Sequence, residues 1–114
     1  MATNVIHTKR FQSRLKRLGR RFPSALTEVD ALTEALERGE RPGDLYKGIG
    51  HVVYRVRRAN PSGGSGKSGG FRITYYVHDA DTVALLAIST RNESSYISRY
   101  EVDQLLKDAG FSET

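Results

Sequence analysis

Arg55, Arg57, Arg72 and Arg91 are the residues of this chain whose type and spacing suit chemistry on an anion. The first three lie in runs, Val52 to Arg58 and Phe71 to Val77, where β-branched and aromatic residues alternate with polar ones, the pattern of a half-buried strand. With Tyr54, Val56, Ile73 and Tyr75 turned toward a core, Arg55, Arg57, Arg72 and Thr74 must face the other way. Arg91 follows the apolar run Val83-Ala-Leu-Leu-Ala-Ile88, which reads as the most enclosed strand, and leaves the sheet close to them. Four guanidinium groups on one open face repel each other unless an anion neutralises them, and their planar fork matches the geometry of phosphate. None can serve as a general base, because the guanidinium does not deprotonate in proteins.

Between the two arginine strands lies a glycine-rich loop, residues 59–70, that carries Lys67. Gly66-Lys67-Ser68 mimics the end of a nucleotide-binding P-loop, but Pro61 stands where its first glycine belongs. A strand also follows where that motif needs a helix N-terminus, so nucleotide hydrolysis is not indicated. His7, His51 and His78 are scattered without clustered carboxylates, and cysteine is absent; no metal, cofactor or thiol nucleophile is expected.

The charge is segregated. Seven basic residues and no acid fall between Lys9 and Arg21, and six (Lys47, Arg55, Arg57, Arg58, Lys67 and Arg72) with no acid between Leu45 and Arg72. With a net charge of +5, this suggests a positive surface meeting nucleic acid. Lys47, Arg55, Arg57 and Arg58 are the candidates for holding RNA. A solvated basic face without a partner is the plain alternative for either segment. A chain of 114 residues suits one domain with one core. No apolar run resembles a secretory signal or a membrane span, so a cytoplasmic protein is expected.

The elements that position these groups follow from periodicity. Asn4 to His7 suits a short edge strand, and Phe11, Leu15, Leu18 and Phe22 recur at helical spacing inside a cationic circumference. Phe22-Pro23 breaks that helix, and a second runs from Ser24 to Arg38 with Gly39 at its end. Turns follow, with a short strand at Leu45-Tyr46, then strands at 52–58, 71–77 and 82–90. The last helix starts at Ser98, where Ser-Arg-Tyr-Glu matches a capping box, and closes near Ala109. The expectation is an α+β fold of order β-α-α-β-β-β-α over residues 1–114, with a mainly antiparallel sheet backed by helices on one face.

This order resembles the RelE/ParE superfamily of bacterial type II toxins. Tyr54-Arg-Val-Arg, Gly66-Lys-Ser-Gly-Gly-Phe-Arg-Ile-Thr-Tyr-Tyr-Val, the apolar strand leading to Arg91, and Tyr96 carry the likeness, which is strongest to RelE and HigB-like members. The resemblance implies a RelE-like toxin domain that cuts messenger RNA on the ribosome and is restrained by a cognate antitoxin. It implies a metal-free attack of the ribose 2′-hydroxyl on the adjacent phosphate, with Arg72, Arg91 and Tyr96 catalytic and Arg55 and Arg57 on the RNA. Some RelE members carry lysine where this chain has strand arginines, so the base must lie elsewhere. Lys67, with neighbouring cations favouring its free amine, and Tyr96 both remain candidates. A ParE-like toxin, which blocks DNA gyrase by protein contact without cutting RNA, and a degenerate member that only binds RNA or antitoxin, are the alternative readings.

Overall fold

The computed structural model describes residues 2–59, 70–90 and 97–111. Among these residues eight elements appear: β1 (Asn4–His7), α1 (Lys9–Arg21), α2 (Ser24–Glu37), β2 (Asp44–Leu45), β3 (Val53–Arg58), β4 (Phe71–Asp79), β5 (Thr82–Thr90) and α3 (Arg99–Asp108). The five strands form one sheet in the order β1-β5-β4-β3-β2. β1 runs parallel to β5, and the other neighbours are antiparallel.

Local chemistry explains the helix ends. The Thr8 hydroxyl accepts from the Phe11 amide and itself donates to the Leu85 carbonyl at 2.8 Å, so it both starts α1 and ties that start to β5. Phe22, kept out of the helical region by the proline that follows it, separates α1 from α2. Gly19 lets the hairpin close, since a Cβ there would lie 3.1 Å from the Leu26 side chain. The Ser98–Glu101 capping box is present at α3, which ends at Gly110 with φ +85°.

Helices cover both faces of the sheet, not one. The α1–α2 hairpin buries Phe11, Leu18, Val29, Leu32 and Leu36 against Val56, Phe71, Ile73, Tyr75, Val83 and Leu85. On the opposite face, α3 buries Val102, Leu105 and Leu106 against Val53, Ala84 and Leu86. The physical reason lies in β3 to β5: their second face is apolar at one end, at Val53, Tyr76, Ala84 and Leu86, and must also leave water. A bulge where Thr74 pairs with Ala87 and Tyr75 with Leu85 leaves Leu86 as the extra residue. Leu86 and Ala87 consequently both meet the α3 layer.

Two contacts fix α3 and the residues that follow it. His51 Nε2 lies 3.3 Å from Asp103 Oδ1, and Phe111 packs against Tyr76 and His78 with ring centroids 5.2 and 5.1 Å away. The 39–46 turn is tied by the Tyr75 hydroxyl, which donates to the Pro42 carbonyl. Gly43 in that turn has φ +98°, and a Cβ would lie 2.5 Å from the Arg55 carbonyl oxygen.

Candidate functional site

The arginines meet on the α3 side of the sheet, at the end that α3 leaves open. Register places Arg57 directly opposite Arg72, and Arg55 opposite Thr74. Arg72 also faces Ser89 across β5. Like charges in direct cross-strand register repel, and an anion between Arg57 and Arg72 would offset that repulsion. The Arg55 guanidinium carbon lies 4.2 Å from the centroid of the Tyr46 ring, a cation–π contact that orients it. The Nε atoms of Arg55 and Arg72 are buried at the base of the face.

Arg58 is not brought to this face. It follows Arg57 by one residue, and its Nε lies 3.1 Å from Glu28 Oε1 of α2, on the hairpin side of the sheet. Both side chains are about a quarter exposed. A double-mutant cycle with Arg58→Ala and Glu28→Gln, read by urea denaturation, is expected to give a coupling of about 0.5–1 kcal/mol. Lys47 is exposed, one residue beyond Tyr46. Lys67, Arg91 and Tyr96 lie outside the described residues.

The sequence reading missed what flanks Arg72. β1 ends where His7 meets Leu85, so Leu86 to Thr90 of β5 have no partner from β1. α1 lies beside this stretch instead, and Arg14 Nε donates to the Ile88 carbonyl at 3.4 Å. Between α1, this half of β5 and α3 opens a cleft of about 520 Å³ whose lining includes Arg10, Arg14, Arg17, Arg72, Tyr100 and Glu101. The basic run in α1 was visible as charge; its destination depended on where β1 stops.

Two titratable groups with displaced pKa values stand apart from this face. Burial raises the Tyr75 phenol above its ordinary value, with Tyr54 adding to the rise and Arg41 opposing it. Burial lowers His7, partly offset by Asp30 and Glu37; its Nε2 lies 3.2 Å from Thr33 Oγ1. The unfolded chain therefore holds a proton on this histidine more readily than the folded one. Its contribution to stability is present above pH ~6.5 and is lost as pH falls through the lower folded value. Between pH 7.5 and 5.5, His7→Gln is expected to lose less melting temperature than the unsubstituted protein, measured by thermal denaturation.

Among the described residues, no group of three or more histidines or carboxylates is placed to hold a metal ion. No described helix is long and apolar enough to cross a membrane.

The mixed α+β layers around a five-stranded sheet match a RelE-like fold. Among solved structures the chain is similar to the E. coli toxin RelE, determined as a double arginine-to-alanine mutant in the free state. The match has a TM-score of 0.55 and 17% identity, and covers 96% of this chain and 95% of that one. No protein-family model matches the chain, and no curated protein matches it.

Proposed function

We infer that this chain is the toxin of a type II toxin–antitoxin pair and acts as a ribosome-dependent mRNA endonuclease. The observation that carries this reading is the pairing of Arg57 with Arg72, with Arg55 on the same face, on a RelE-like sheet. Cleavage begins when the ribose 2′-hydroxyl attacks the adjacent phosphorus and its proton passes to a base. The P–O5′ bond then breaks, leaving a 2′,3′-cyclic phosphate and a 5′-hydroxyl that takes up a proton. Negative charge builds on the non-bridging oxygens as the new bond forms. Arg72 meets that charge, together with Arg91, which is bonded to Thr90, the residue paired with Phe71. Arg55 and Arg57 hold the flanking backbone, and either Lys67 or Tyr96 takes the proton. No step calls for a metal ion.

The partner is an antitoxin with an acidic segment, laid over the cationic face and a free sheet edge, where it would neutralise charge and pair exposed backbone. Expression of the chain alone should arrest growth, and co-expression with a cognate antitoxin should relieve the arrest. Harmless expression alone, with nothing copurifying, would count against the pair. The nuclease itself is tested by incubating purified protein with translating ribosomes: cleaved message is expected, and uncut message would overturn the reading.

A further inference from the structure

We propose that the cleft between α1, the β5 edge and α3 is a binding track for single-stranded RNA, extending from Arg72. In this track the arginines of α1 hold successive phosphates and Tyr100 stacks on a base. The proposal rests on the nuclease reading for what lies at Arg72, but the track itself stands on separate residues.

Arg10, Arg14 and Arg17 sit at i, i+4 and i+7, so they form one stripe with neighbours about 5–6 Å apart at Cβ. That stripe lies roughly a quarter turn round the helix from the buried Phe11 and Leu18, and it lines the cleft beside the β5 edge. Arg72 lines the same cleft, so the positive surface is continuous from the α1 stripe to the arginine strands. Among the described residues the lining holds one carboxylate, Glu101, which accepts from the Ser98 amide and hydroxyl in the capping box and is thereby directed toward the α3 terminus.

Tyr100 stands on the opposite wall and is 71% exposed. An exposed ring in the first turn of a helix, facing a row of arginines, adds little to the core. It supplies what sequence-tolerant binding of single strands needs beside charge, a flat surface for an unstacked base. An acidic peptide would match the arginines but makes no comparable use of that ring, which favours RNA as the occupant.

The test is fluorescence anisotropy with a labelled ten-nucleotide single-stranded RNA of mixed sequence, on the full chain without ribosomes. Wild type is compared with Arg10→Ala/Arg17→Ala, Tyr100→Ala and Tyr100→Phe. All three positions are exposed, so folding is retained and is checked by circular dichroism. The double arginine variant is expected to bind at least about tenfold more weakly, with a salt slope smaller by about 1–1.5, the effect of two lost phosphate contacts. Tyr100→Ala is expected to lose about 5- to 150-fold, and Tyr100→Phe to bind like wild type. Unchanged binding in the double variant or in Tyr100→Ala would overturn the track, as would a poly-glutamate peptide binding where the RNA does not. Message cleavage is read separately on ribosomes. Protein that binds RNA through these residues but cuts nothing upholds the track and sinks the nuclease; cleavage with unaffected binding in the variants does the reverse.

Discussion

Arg72→Ala is expected to slow message cleavage on the ribosome by about 10²–10³-fold, the usual consequence of removing one preorganised donor to transition-state charge. Arg72 is where the lines of the site cross: it faces Arg57 on one side and Ser89 on the other, and it lines the α1 cleft. Lysine at this position keeps a positive charge but loses the planar fork, so Arg72→Lys should recover only part of the rate. Arg72 is half-buried in a strand, so folding is checked beside activity, with the denaturation midpoints of Arg72→Ala and wild type compared directly. A rate loss that follows a stability loss in proportion would assign Arg72 to the scaffold instead.

The largest effect on stability is expected at the neighbouring residue. Phe71 is fully buried, packs edge-on against Phe22 with ring centroids 6.3 Å apart, and begins β4 opposite Arg58 and Thr90. Phe71→Ala removes the ring and leaves a void between the hairpin and the sheet, which should cost about 3–5 kcal/mol in urea denaturation. For a domain whose whole stability is about 5–15 kcal/mol this is at least about a fifth. Phe71→Leu, which keeps most of the volume, should lose markedly less. Equal losses in the two variants would mean that the site relaxes around any side chain and that Phe71 does not hold the start of β4.

Much of the fold is legible in the sequence because its elements carry local signals. Asn4–His7 and Thr82–Thr90 stand where pattern predicts, and α3 starts at Ser98 because the capping box is a local interaction. Alternation in β3 and β4 likewise separates Arg55, Arg57 and Arg72 from the core side. Three features depend on distant parts of the chain. Helical periodicity marks which residues of α3 are buried without saying against which face, although Val53, Tyr76, Ala84 and Leu86 on the arginine side were a signal that this face needs cover. The partner of Arg58 lies thirty residues earlier in α2, beyond any local count of acids, yet its parity with Tyr54 and Val56 already sets it apart from Arg57. The α1 stripe reads as surface charge until β1 is seen to stop at His7 and leave the β5 edge to the helix.

Primer extension on a message in a purified translation system, with wild type and Arg72→Ala side by side, tests the central claim most directly. Discrete cuts inside translated codons, present with wild type and lost with the variant, are the expected result. Intact message together with arrested growth of cells expressing the protein would contradict it and point to a toxin of the gyrase-blocking kind.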